Sequence, residues 1–154
     1  AYEGGIRVPL IIKWPGTVKG GVTSSAPVTS VDYLPTIAEL ADLDLPKGVE
    51  IDGISLVDHL RSNGKKALSR EAIYWHFPHY RHNPGPYSII REGSWKLIHF
   101  YEGPMELYNL NKDLGEKKNL ASSMPAKVKE LDRRLLAHLK SIGAKIPKPN
   151  PDRK

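Results

Sequence analysis

The segment His76-Phe77-Pro78-His79-Tyr80-Arg81-His82 gathers several of the chain's histidines beside a phenol and a guanidinium. Imidazole, phenol and guanidinium all donate hydrogen bonds. His76, His79, Tyr80, Arg81 and His82 therefore form a candidate site for an anion or for sugar hydroxyls. Asn83-Pro84-Gly85-Pro86 makes the next stretch irregular, and loops carried on a rigid sheet commonly hold such groups. Two other readings stay open. The cluster can be a set of surface or hydrogen-bonded structural residues, or a zinc site. Against zinc, histidines three apart in a strand project to opposite faces, and Pro78 opposes a helix that would align them.

Strands have to position this segment. From Glu71 the pattern reads as Ala72 to Phe77, Tyr87 to Arg91, Trp95 to Tyr101 and Met105 to Leu110, with Glu92-Gly93 and Gly103-Pro104 as the later turns. About four antiparallel strands follow, with Trp95 and Tyr108 as core residues. A final helix opens at Ser123, read as its cap. Val128, Leu131, Leu135, Leu139 and Ile142 form its apolar stripe and Gly143 ends it, so the helix should pack across one sheet face.

Upstream, Arg7 to Trp14 is a nearly continuous apolar run between Gly4-Gly5 and Pro15-Gly16. It predicts a strand buried on both faces, the glycines permitting positive φ at its mouth and Arg7 pairing with Glu3. Asp32 reads as a helix N-cap with Pro35 in the first turn. Leu34, Ile37, Ala38 and Ala41 form its apolar face, and it ends before Pro46. Ile54 to Leu60 is a short amphipathic stretch, and Asp52-Gly53 reads as a turn. The expected organisation is residues 1–66, residues 67–146 and a tail from 147 to 154. The fold class is α+β: one buried strand plus a helix, then the sheet and its helix.

The chain has 154 residues with a formal net charge of +6, 40% hydrophobic and 26% charged residues, a mix that argues against intrinsic disorder. The basic balance suits anionic partners of several kinds. Its lysines are dispersed, however, and no established nucleic-acid motif accompanies them, so a nucleic-acid-binding module is the weaker alternative. The chain contains no cysteine, which excludes disulfides and thiolate chemistry within it. No stretch reaches the length of a membrane-spanning helix, and residues 1–7 lack a signal-peptide layout. The first residue is not Met, and the opening reads like the middle of a domain, which predicts a piece of a longer polypeptide.

An ordered series of segments resembles the C-terminal region of the sulfatase family. It starts with Tyr2-Glu3-Gly4-Gly5-Ile6-Arg7-Val8-Pro9 and Trp14-Pro15-Gly16. It continues with Ser30-Val31-Asp32-Tyr33-Leu34-Pro35-Thr36 and Asp52-Gly53-Ile54-Ser55-Leu56. It ends with Tyr74 to Tyr80, Ile90 to Ile98, Glu106 to Leu110, Gly115-Glu116 and Asn119-Leu120. The resemblance implies an alkaline-phosphatase-like α/β parent fold that hydrolyses sulfate esters. A formylglycine, made from Cys or Ser in a Cys/Ser-x-Pro-x-Arg motif, would be the nucleophile, and a calcium ion would be held by acidic and amide side chains. Neither set is found in this chain. Ser123-Met124-Pro125-Ala126-Lys127 has Lys where Arg is needed, and residues 1–66 would be the end of the catalytic domain. The resemblance further implies a sulfated small molecule or polysaccharide as substrate, a place for His76 to His82 at the substrate mouth, and a periplasmic, extracellular or lysosomal compartment. A sulfatase relative serving only as an interaction domain is the other reading.

Overall fold

The computed structural model describes residues 1–80 and 85–148. They fall into two compact units: Ala1–Val8 with the chain from Glu71 on, and Pro9–Arg70.

The first unit is built on a four-stranded antiparallel meander in the order β1 (Ala72–Phe77), β2 (Tyr87–Glu92), β3 (Trp95–Phe100) and β4 (Glu106–Asn109). These are the strands that period-two patterning predicts, with ends shifted by a residue or two. Gly93, at φ 55°, turns β2 into β3 and closes the register in which Glu92 faces Trp95. One face carries Ile90, Leu97 and Leu107 against Leu131, Leu135 and Leu139 of the long C-terminal helix, Pro125–Ser141. The predicted stripe thus covers the predicted sheet. Burial of each leucine contributes about 2 kcal/mol. The other face gathers Ile89, Ile98, Phe100, Tyr108 and Leu110, with Trp75, Tyr87 and Ala1 beside them.

The helix ends as expected. Gly143 has φ +63° and its N–H donates to Lys140 O, while the Ala144 N–H donates to Leu139 O, a paired closure that a left-handed residue makes possible. Its start differs. Ser123 does not cap: its hydroxyl donates to Leu120 O, and the helix opens on Pro125, whose missing N–H leaves one fewer donor to satisfy. Ile142, last of the predicted stripe, is exposed because the helix stops one residue before it.

A single helical turn, α1 (Glu3–Ile6), replaces the expected strand mouth. Gly4 and Gly5 lie within it and neither has positive φ. The run Arg7 to Trp14 forms no strand, and Ile11 is 91% exposed. An apolar run reports only that burial is favourable. A strand also needs a neighbour's N–H and C=O groups in register, and among the described residues no strand pairs with this segment.

In the Pro9–Arg70 unit, a 3-10 turn at Ser30–Asp32 leads into α2 (Tyr33–Leu40), and α3 (Val57–Arg61) follows; the C-terminal helix is α4. Pro35 falls in the first turn of α2 as predicted. Asp32 precedes α2 as expected, but its carboxylate makes no cap hydrogen bond to that helix and is spent on other partners. Fully buried, it accepts the N–H groups of Thr29 (2.9 Å) and Ile54 (3.1 Å) and pairs with Arg70. Thr36 adds a second tie, its hydroxyl donating to Asp32 O and accepting the Leu56 N–H. Gly53 is required by close approach: a Cβ there would lie 2.0 Å from Val31 O, a backbone atom that cannot swing aside. Asp42, at φ 53°, ends α2 with the same closure that Gly143 gives α4, Leu43 N–H donating to Ala38 O.

Candidate substrate-binding site

His76 lies near the end of β1, where the register places it opposite Ser88 of β2, and Ser88 opposite His99 of β3. Strand alternation puts this row on the face that carries Ile90 and Leu97, beside α4. Each polar group in the row has a partner. His76 Nε2 is 3.0 Å from Lys145 O, which can only accept, so Nε2 carries a proton. In the neutral ring Nδ1 then accepts from Ser88 Oγ at 2.7 Å. Having spent its proton there, the Ser88 hydroxyl accepts from Tyr101 OH at 2.8 Å. His99 Nδ1 meets Asp132 Oδ1 of α4 at 2.6 Å. Burial raises the Tyr101 pKa above the usual phenol value, which keeps this proton chain filled.

His79 and Tyr80 come next and are exposed. The His79 ring lies edge-on to Phe77 at 5.1 Å. The Tyr80 hydroxyl lies 2.7 Å from Glu102 Oε1 and 2.8 Å from Lys148 O, so its single proton serves two acceptors. Arg81 and His82 lie outside the described residues. Of the candidate residues described, half-buried His76 is thus held through both ring nitrogens, while His79 and Tyr80 present surface.

Sequence reasoning missed Ser88, His99, Asp132 and the carbonyls of Lys145 and Lys148. The polar positions Ser88 and His99 interrupt an otherwise apolar face at matching ends of two adjacent strands. That signal was readable, but only once the register was known.

A second polar constellation lies under α1. Lys96 is fully buried and its Nζ sits 3.1 Å from Glu3 Oε1 and 2.8 Å from Glu116 Oε1. The Glu3 backbone N–H donates to Glu116 Oε2 at 2.6 Å, and Arg7 and Arg91 approach Glu3 Oε2 at 3.7 and 3.9 Å. The predicted Arg7–Glu3 pair is therefore one edge of a larger network that pins the opening of the chain to β3. Among the described residues, no group of three or more His, Asp or Glu side chains could hold a metal ion.

The family model for the C-terminal region of N-sulphoglucosamine sulphohydrolase matches residues 1–145. The chain belongs to the sulfatase family. Among curated relatives, a sulfatase of Formosa agariphila is 37% identical over 142 residues, which are 81% of this chain and 24% of that protein. The N-acetylglucosamine-6-O-sulfatase of Bacteroides thetaiotaomicron is 37% identical over 127 residues, 77% of this chain and 22% of that protein. The chain thus spans about a quarter of the length of the curated relatives it matches. Among solved structures, one in complex with its substrate D-glucosamine-2-N,6-O-disulfate is 33% identical. It superposes with a TM-score of 0.71 over 84% of this chain and 27% of its own. The sulfatase chain, itself α+β, corresponds to the C-terminal portion of an alkaline-phosphatase-like α/β fold.

Proposed function

We propose that this sulfatase chain completes a sulfuric ester hydrolase that acts on sulfated carbohydrate, and that its own part is to finish the fold and form the rim of the substrate mouth. The observation that carries the reading is the continuous family match over residues 1–145. Sulfated sugar as the substrate class draws on the relatives, which include an N-acetylglucosamine-6-O-sulfatase, an ulvan-active sulfatase and the structure bound to a glucosamine disulfate.

Residues 1–66 close the catalytic domain, 67–146 form the terminal subdomain, and 147–154 extend beyond it. Within the subdomain His76, His79, Tyr80, Arg81 and His82 make the rim, His79 offering an exposed imidazole and His76 acting through what it holds. Formylglycine and calcium belong to the parent enzyme. The residues of this chain do not fit either group: it has no cysteine, Ser123 opens a motif with Lys127 in place of Arg, and no group of three or more His, Asp or Glu among the described residues could hold a metal ion. No chemical step is therefore assigned to these residues.

A rim role predicts a split in the kinetic constants. In the longer polypeptide that carries the upstream sequence, His79→Ala and Arg81→Ala should each raise KM for a sulfated saccharide about threefold to tenfold with kcat nearly unchanged, the mark of uniform binding. Equal loss of kcat and kcat/KM would contradict the rim assignment, as would no change in KM.

A further inference from the structure

We propose that Lys145 and Lys148 form a cationic subsite for a sulfate group of the saccharide, and that His76 and Tyr80 are positioning residues that hold the backbone of this subsite in place. The inference rests on the rim reading above and assigns its charge to residues that the reading did not include.

Two donors of the proposed rim are spent on backbone carbonyls. His76 Nε2–H donates to Lys145 O at 3.0 Å, and the Tyr80 hydroxyl reaches Lys148 O at 2.8 Å. Two rim side chains, four residues apart in sequence, thus grip two carbonyls three residues apart on one strap. His76 cannot turn away to meet a ligand without breaking both of its ring hydrogen bonds, one of them to the fully buried Ser88.

The strap's own sequence explains why these two carbonyls face the same wall. Ile146 precedes Pro147 and Lys148 precedes Pro149, and a residue before proline is pushed to extended or polyproline backbone. That conformation repeats every three residues with a rise of about 3.1 Å per residue, so positions 145 and 148 share one side roughly 9 Å apart. Gly143 anchors the near end by terminating α4.

Both lysines are exposed, and among the described residues neither is paired with a carboxylate. Other cations, on α4, are committed differently: Arg134 pairs with Glu71 and Glu92, and Lys127 with Glu130 of the same helix. The strap therefore presents two positive charges with a tied backbone and, among the described residues, side chains without a carboxylate partner, next to Tyr80. A lysine ammonium is a compact point charge with three donors, suited to a sulfate oxygen on a flexible sugar. Glu102 Oε1 shares the single Tyr80 proton with Lys148 O, so the hydroxyl stands between the strap and this carboxylate.

The test is a binding titration of the chain, followed by NMR or calorimetry, with a heparin-derived tetrasaccharide, its desulfated counterpart and a single-stranded oligonucleotide of matched charge. The tetrasaccharide should bind and the desulfated sugar should not. Lys145→Met with Lys148→Met should weaken binding about tenfold, each screened cation–sulfate contact being worth a factor of about three. Tyr80→Phe, which removes no charge, should weaken it about twofold to threefold, the loss falling on the lysine contacts. Lys129→Met, on the exposed face of α4, should change nothing.

If the wild-type chain binds no sulfated sugar, the rim reading fails and takes this subsite with it. If it binds and the double lysine variant binds equally well, the rim reading stands and the subsite is wrong. Equal affinity for the oligonucleotide, or an equal loss on Lys129→Met, would show a diffuse polyanion surface and overturn the proposal.

Discussion

Lys96 shows what one residue can decide. A fully buried ammonium between two carboxylates persists only because Glu3 and Glu116 offset its desolvation, and the backbone N–H of Glu3 closes the ring by donating to Glu116. Replacing Lys96 with Met would leave two buried acids facing each other. We expect Lys96→Met to destabilise the fold by about 3–5 kcal/mol, measured by urea unfolding, whereas a pair that contributed little would move the midpoint barely at all. A second prediction concerns base. Tyr2 and Tyr108 both donate to Glu106 Oε2, at 3.0 and 2.9 Å. Burial and then this hydrogen bond push Tyr2 up to about 12 and Tyr108 upward as well. Because the folded values exceed the unfolded phenol value near 10.0, the stabilisation is fully present below that pH and is lost as pH rises towards about 12. Thermal unfolding followed across this range should show the decline, and Tyr2→Phe with Tyr108→Phe should flatten it. An unchanged slope in the double variant would contradict the assignment.

Among the elements, legibility followed how local the cause was. The four strands and α4 were readable because alternation and three-to-four spacing are local consequences of side-chain direction, and the same spacing named Leu131, Leu135 and Leu139 as the stripe that seals the sheet. We expect Leu135→Ala to cost about 2–5 kcal/mol and to leave the far-ultraviolet spectrum of the folded state intact, since the cavity would lie between elements rather than within one. A loss below about 0.5 kcal/mol would mean that α4 does not pack as described. The run from Arg7 to Trp14 forms no strand here, because composition signals only that burial is favourable, whereas a strand is a pairing and the described residues offer this run no partner. Gly53 was read as a turn for a similar reason: its close approach to Val31 O is a tertiary fact that local sequence does not carry. The candidate site could be named from its residue types, but its wiring could not. His76 stands out by type, yet its commitment to Ser88 and Lys145 depends on strand register and on a segment nearly seventy residues away, as the 69-residue separation of that hydrogen bond records.

For the whole molecule, we propose a division of labour. The chain carries the family's C-terminal features in order and spans about a quarter of its relatives, while the described residues contain neither a metal-binding cluster nor a fitting nucleophile motif. On that proposal its residues complete a fold, through the Asp32 pin in one unit and the Lys96 network in the other, and present a rim. The measurement that tests this most directly is sulfate release from an aryl sulfate, run side by side on the purified chain and on the longer polypeptide with its upstream sequence. We predict sustained turnover by the longer polypeptide and none above background by the chain. Turnover by the chain itself would contradict the account.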